Sequence, residues 1–254
     1  VEINKCYNEN CLDTMKRMDN NFIDLTVTSP PYDNLRNYNG YSFDFESIAK
    51  ELFRVTKQGG VIVWVVNDST IKSSESGTSF RQALYFKEIG FNLHDTMIYI
   101  KNNPTPIKAN RYQPCFEYMF VLSKGVVNSF NPIKRNRIYD DFRRKTSFGR
   151  NKEGEHQQGT NSSDKEITNY NVWCYNVGGG NTSKDKIAFE HPAIFPEQLA
   201  NDHIVSWSNE GDLVYDPFMG SGTTAKMAII NKRNWIGSEI SSEYCDIIQR
   251  RING

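Results

Sequence analysis

No sign of charge dominates this chain: thirty Lys and Arg stand against thirty Asp and Glu, for zero net charge at pH 7. Overall charge therefore argues neither for nor against a nucleic-acid partner, and only its local distribution is informative. Cysteine is scarce, with five residues at 6, 11, 115, 174 and 245 and no CxxC pair. That odd count and wide spacing fit neither a zinc site nor a disulfide framework, and they point to a reducing compartment. The four histidines, at 94, 156, 191 and 203, form no ligand pattern with each other or with the cysteines, so no metal is expected. No apolar run approaches the roughly 18 residues of a membrane span. The start, Val1-Glu2-Ile3-Asn4-Lys5, is polar and unlike a signal peptide. A cytoplasmic protein is the expectation. There is no internal repeat and no low-complexity tract.

What is present suits an α/β protein. At 254 residues the chain exceeds the usual domain of about 100–200 residues, but one domain with an insertion fills it. Thirteen Tyr and fifteen Phe supply a large core and leave aromatics for flat partners such as bases. The first strand is Phe22 to Val27, stopped by Ser29-Pro30-Pro31, because prolines remove donors and fix φ. Phe45, Ile48, Ala49, Leu52 and Phe53 recur at the spacing of one helical face, which Gly59-Gly60 is expected to end. Val61 to Val66 reads as a strand buried on both faces. A helix over Phe80 to Ile89 and strands near Leu93–Ile100 and Phe116–Leu122 follow. After His191 come a strand at Leu213–Tyr215, a helix at Ser221–Asn231, a strand at Trp235–Gly237 and a closing helix at Ser242–Arg251. Such alternation implies a largely parallel sheet with helices on both faces.

Between these halves the texture changes. From Lys124 to Lys152 the residues Lys124, Lys134, Arg135, Arg137, Arg143, Arg144, Lys145, Arg150 and Lys152 face only Asp140 and Asp141. A solvated loop is one reading. A substrate-recognition insertion that meets a phosphate backbone is the other.

Two segments carry chemistry. Asp216-Pro217-Phe218-Met219-Gly220-Ser221-Gly222-Thr223-Thr224 lies between a strand and a helix. Its glycines let the backbone pass close to a ligand, and the helix start offers unpaired N–H groups. Glu239, at the end of the next strand, is placed to accept from ribose hydroxyls. A phosphate-cradling loop is excluded, because Gly178-Gly179-Gly180-Asn181-Thr182-Ser183-Lys184 has Ser where Gly must precede Lys. On this segment alone, nicotinamide and S-adenosylmethionine both stay open. The second segment, Thr28-Ser29-Pro30-Pro31-Tyr32, directly follows a strand. An exocyclic base amine is a poor nucleophile because its lone pair is delocalised into the ring. The Ser29 hydroxyl and the Pro30 carbonyl are acceptors able to localise that pair, on a loop stiffened by Pro30 and Pro31. Tyr32 offers a face on which a flipped base can stack.

Together the two segments resemble the amino-methyltransferases of DNA, in which an (Asp/Asn/Ser)-Pro-Pro-Tyr loop holds the target amine and a Phe-x-Gly-x-Gly loop holds S-adenosylmethionine. The catalytic loop precedes the cofactor loop, with the basic stretch between, which is similar to the β group of that family. The resemblance implies a seven-stranded, mostly parallel, Rossmann-like sheet, circularly permuted. Residues 1–124 would form the catalytic half, 125–172 the target-recognition insertion and 173–254 the cofactor half. Further similarity runs through Cys11–Met15, Glu51–Gly60 and His191–Leu199. By this resemblance Asn10, Cys11, Pro196, Asp216, Phe218, Gly220, Ser221, Gly222, Thr223 and Glu239 line the cofactor site. Many members carry Asp where Asn10 stands. Ser29 in place of Asp is the form usual in N4-cytosine enzymes, so cytosine is favoured over adenine.

Double-stranded DNA is the expected partner, met by Lys134, Arg135, Arg137, Arg143, Arg144, Lys145 and Arg150. A companion restriction endonuclease belongs to the same picture, and the enzyme is expected as a monomer or homodimer. Asp68 is a candidate to bond Ser29 or the substrate amine; a loop cap is its alternative. Trp173 and Tyr175 either touch DNA or pack locally. Pro114-Cys115 is similar to the nucleophile of ring-carbon cytosine methylases, but a covalent mechanism has no use for Ser29–Tyr32, and Cys115 is read as a sheet-edge residue. A nicotinamide oxidoreductase, an inactive nucleic-acid-binding module and an RNA substrate remain rival readings.

Overall fold

A computed structural model of the chain describes residues 1–31, 43–108, 110–136, 147–150, 152–158, 166–191 and 194–253. It forms two compact units, Val1–Asn131 with Asn171–Gly254, and Pro132–Tyr170. In chain order the first elements are β1 (Lys5–Tyr7), α1 (Cys11–Lys16), β2 (Ile23–Thr28), α2 (Phe45–Val55), β3 (Thr56–Val66), β4 (Thr70–Ile71), β5 (Ser74–Glu75) and α3 (Thr78–Glu88). Next come β6 (Asn92–Lys101), β7 (Phe116–Ser123), β8 (Lys134–Asn136), β9 (Ser147–Arg150), β10 (His156–Gln158), β11 (Glu166–Thr168) and β12 (Val172–Tyr175). A 3-10 turn (Lys186–Glu190), α4 (Glu197–Trp207), β13 (Leu213–Asp216), α5 (Thr223–Ile230), β14 (Asn234–Ser238) and α6 (Ser242–Asn253) complete the chain.

The sheet of the larger unit runs β1-β14-β13-β2-β3-β7-β6-β12. Neighbouring strands are parallel except at β7, which is antiparallel to both β3 and β6. The sheet is mostly parallel, as predicted, but it has eight strands rather than seven. Its outermost members, β1 and β12, are three and four residues long and partly exposed, too short for a periodicity to mark them. Val61 to Val66 are all buried, which requires cover on both faces. Met15 of α1, Leu52 of α2 and Phe86 of α3 share one core cluster with Trp64 and Tyr215 of the sheet. Helix α4 packs against β2 and α5, and α5 against β13 and β14.

Gly59 and Gly60 do not end α2; both lie inside β3. The helix stops at Val55, where Thr56 turns extended and its hydroxyl donates to the Leu52 carbonyl at 2.6 Å. Gly59 serves another purpose. Its φ of +77° is left-handed, and the Asn128 side chain fills the space that a Cβ would need.

The topology positions the site. From β2 the chain passes through α2 to β3 on one side, and from β13 through α5 to β14 on the other. Connections leaving an adjacent parallel pair in opposite directions open a crevice beyond its carboxyl ends, where open α/β sheets bind ligands. The smaller unit, 132–170, pairs β8 with β11 and β9 with β10, both antiparallel. No helix among the described residues is long and apolar enough to cross a membrane.

Candidate active site

Both chemistry-bearing segments flank the β2–β13 crevice. The Thr28 hydroxyl, at the end of β2, donates to Asp216 Oδ1 at 2.6 Å. Thr224 Oγ1 donates to Asp216 Oδ2 at 2.7 Å, and the Phe218 N–H to Oδ1 at 3.0 Å. Asp216 is buried; burial pushes its carboxyl pKa up, and the hydrogen bonds to Thr28, Thr224 and Phe218 pull it back. The carboxylate therefore ties β2, the 216–224 loop and α5 together.

That loop needs its glycines for reasons partly different from those predicted. Gly220 and Gly222 have φ of +52° and +81°, a region costly for residues with a Cβ. A Cβ on Gly220 would meet the His191 ring at 3.2 Å, and one on Gly222 would meet Ile248 at 3.1 Å. Positive φ and close packing by protein account for them. Helix α5 then begins at Thr223 with no side-chain hydrogen bond to cap it, so its first N–H groups suit a ligand's acceptors.

Glu239 follows β14 and is 8% exposed. Its Oε2 accepts from the Gly220 N–H at 2.8 Å and its Oε1 from the Ser241 N–H at 2.9 Å. Burial raises its pKa, against those backbone donors. A carboxylate has about four acceptor positions, so each oxygen retains capacity for a hydroxyl. Together with the uncapped helix start, this donor and acceptor set fits a nucleoside-type ligand.

The other predicted residues fall as follows. Ser29 is half-buried, Pro30 buried and Pro31 half-buried at the crevice mouth; Tyr32 lies outside the described residues. Asn10 caps α1 by accepting from the Leu12 N–H at 2.9 Å. Cys11 is buried, which pushes its thiol up to about 12. Helix α1 meets the carboxyl ends of β13 and β14 through Ser238 Oγ, 2.9 Å from Thr14 Oγ1 and 3.0 Å from the Tyr215 hydroxyl. Pro196 is buried and accepts from Ala200 N at 3.1 Å at the start of α4.

Asp68 requires a correction. Its carboxylate accepts from Ser76 Oγ at 2.9 Å, from the Ser79 N–H at 3.0 Å and from the Ser79 hydroxyl. It is committed to the start of α3, where a carboxylate also complements the helix dipole, and so takes the loop-cap alternative. Trp173 and Tyr175 pack locally: the Trp173 ring lies 4.6 Å from His203, and the Tyr175 hydroxyl donates to Asp202 at 2.7 Å. In the smaller unit Lys134 is exposed and the Arg135 guanidinium stacks 3.9 Å over Tyr170. Arg137, Arg143, Arg144 and Lys145 lie outside the described residues, and only the backbone of Arg150 is described.

Several contributors escape the sequence reading. Thr28 and Thr224 hold Asp216, Phe43 lies 5.6 Å from Phe218, and the His191 ring sits between Gly220 and Tyr244. Arg251 reaches Ser221 from the last helix. Apart from Thr224, eight positions after Asp216, their partners are remote in sequence, so no local pattern marks them; Arg251 leaves a hint, as a cation on a helical face otherwise carrying Ile247 and Ile248.

Residues 23–250 match the family described as DNA methylase (N6_N4_Mtase). The chain belongs to that family. This methylase is 58% identical, over 91% of its length and 88% of the relative's, to the orphan methyltransferase M.BamHII of Bacillus amyloliquefaciens. It is 28% identical, over 99% and 69%, to the type II methyltransferase M.BglII of Bacillus subtilis. Its fold matches the PvuII DNA methyltransferase (cytosine-N4-specific) with a TM-score of 0.70 at 20% identity, over 98% of this chain and 93% of that one. It matches the M1.HpyAVI–SAM complex with a TM-score of 0.64 at 20% identity, over 98% and 99%. Membership in the family sets aside the nicotinamide oxidoreductase.

Proposed function

We propose that this DNA methyltransferase moves the methyl group of S-adenosylmethionine to the N4 amine of cytosine in double-stranded DNA. One observation carries the reading: the Ser29–Pro31 loop and the 216–224 loop, remote in sequence, meet at one switch point through Thr28 and Asp216. When bound, S-adenosylmethionine would supply an electrophilic methyl group on its sulfonium sulfur, which would depart as the thioether S-adenosylhomocysteine. The 216–224 loop and the α5 start would hold the cofactor, with Glu239 placed to accept from its ribose hydroxyls.

Ser29 and the Pro30 carbonyl then face the amine of a flipped base and accept from its hydrogens. This would draw the nitrogen toward tetrahedral geometry and free its lone pair to take the methyl carbon as the carbon–sulfur bond breaks. Two prolines set the acceptors before the base arrives, so little reorganisation is needed. Tyr32 stacks on the base. After transfer the cationic amine would lose its proton to water, directly or relayed through the Ser29 hydroxyl, while Asp68 accepts from Ser76 and Ser79 at α3. Ser29 supports cytosine, because serine at this position is the form usual in N4-cytosine enzymes.

The 132–170 unit is proposed to recognise the target, with Lys134, Arg135, Arg137, Arg143, Arg144, Lys145 and Arg150 making mainly phosphate contacts. DNA affinity then falls linearly with log salt concentration, and a salt-independent affinity would remove this part of the reading. The enzyme is proposed to act as a modification methyltransferase without a stably bound nuclease.

The test is transfer of radiolabelled methyl from S-adenosylmethionine to unmodified genomic DNA, followed by nucleoside analysis. N4-methylcytosine is the expected product. N6-methyladenine overturns the base assignment alone, and absence of transfer despite cofactor binding overturns the DNA substrate.

A further inference from the structure

Taking residues 216–224 as the cofactor loop, we propose that Arg251 on α6 is a positioning residue that holds this loop in its binding conformation. Its side chain is fully buried. Nη1 donates to the Ser221 carbonyl at 2.5 Å, to Ser221 Oγ at 3.0 Å and to Thr223 Oγ1 at 3.2 Å. Nη2 and Nε pair with Glu197 at 2.8 Å and Asp185 at 3.3 Å. Lys226 Nζ meets the same two carboxylates at 2.8 and 2.6 Å, so two cations balance two anions in this partly buried cluster.

The two cations have different tasks. Lys226 meets the carboxylates, whereas Arg251 also grips two residues of the loop. The peptide between Ser221 and Gly222 is held at both ends, its carbonyl by Arg251 and its N–H by the Met219 carbonyl at 2.8 Å. That plane is flanked by Gly220 and Gly222, both at positive φ. Glycine has little intrinsic conformational preference, so an external clamp decides which shape the loop keeps and where the first N–H groups of α5 point. Only the planar fork of arginine can bridge the carboxylates and the loop together.

A loop populated in its competent shape for only a fraction of the time binds with affinity reduced by that fraction. Loss of Arg251 is therefore expected to weaken cofactor affinity and leave the chemical step intact. The experiment is titration of the purified full chain with S-adenosylmethionine, combined with thermal melting and with kcat at saturating cofactor and DNA. Arg251→Met is expected to weaken binding about tenfold or more while kcat stays within about twofold. Arg251→Lys, which keeps the charge without the fork, is expected to give an intermediate affinity, and it carries the comparison should Arg251→Met not fold. Lys226→Met deprives the same carboxylates of a partner; it is expected to lower the melting temperature and leave affinity unchanged. Unchanged affinity in the Arg251 variants, or equal loss in Lys226→Met, overturns the positioning role. Absence of binding by the unmodified chain overturns the cofactor reading and this inference with it.

Discussion

The hydroxyl of Thr28 and the carboxylate of Asp216 meet at 2.6 Å, joining the last residue of β2 to the last residue of β13 across 188 positions. The bond couples β2, which leads into Ser29–Pro31, to the 216–224 loop. Thr28→Val keeps the shape and removes one donor from a buried carboxylate, a loss of about 1–3 kcal/mol. The expected outcome is a lower urea midpoint with an unchanged slope and weaker S-adenosylmethionine binding. A midpoint equal to that of the parent chain contradicts the coupling.

Ser29→Ala removes one of the acceptors proposed for the amine and leaves the residues of the 216–224 loop unchanged. The single-turnover methyl-transfer rate is expected to fall by about a hundredfold, with cofactor affinity preserved. If affinity falls and the rate does not, Ser29 acts on the cofactor instead.

Glu239→Gln presents an amide nitrogen where two backbone N–H groups, of Gly220 and Ser241, both need an acceptor. Cofactor affinity is expected to drop about tenfold, equivalent to ~1.4 kcal/mol. Because burial raises the Glu239 pKa, protonation sets in at a higher pH than for an ordinary glutamate. Cofactor binding therefore weakens on acidification earlier than a solvated carboxylate would allow. Titrations across acidic pH check this, and in Glu239→Gln that dependence disappears.

His203 is fully buried, with Nε2 3.2 Å from the Met119 sulfur and Nδ1 lacking a partner among the described residues. Burial lowers its pKa to about 3. Between that value and the unfolded value of about 6.5 the unfolded state binds the extra proton. Neutral His203 thus adds no acid sensitivity above pH ~6.5, and stability is lost as pH falls toward 3. His203→Leu is expected to flatten this decline in melting temperature. An equally steep decline in the variant places the acid sensitivity elsewhere.

Strands and helices were legible wherever a single periodicity held. Val61 to Val66 reads directly as a doubly covered strand, and Phe45, Ile48, Ala49 and Leu52 as one face of α2. The short edge strands β1 and β12 were not legible, because three or four partly exposed residues give no pattern. Gly59-Gly60 misled as a helix stop, since a glycine required by Asn128 inside a strand looks the same in sequence as one that ends a helix.

By itself the sequence determined the chemistry of each loop, because stiffness from Pro30-Pro31, turn geometry from Gly220 and Gly222 and the acceptor character of Glu239 are properties of neighbouring residues. Only the tertiary structure decided which of them act together. Thr28 was brought to Asp216, Glu239 to the Gly220 N–H and Arg251 to Ser221, whereas Asp68 was drawn to the start of α3. Hydrogen bonds reach only a few ångströms, and the chain's path through a twisted sheet, not its order, sets which groups come within that range.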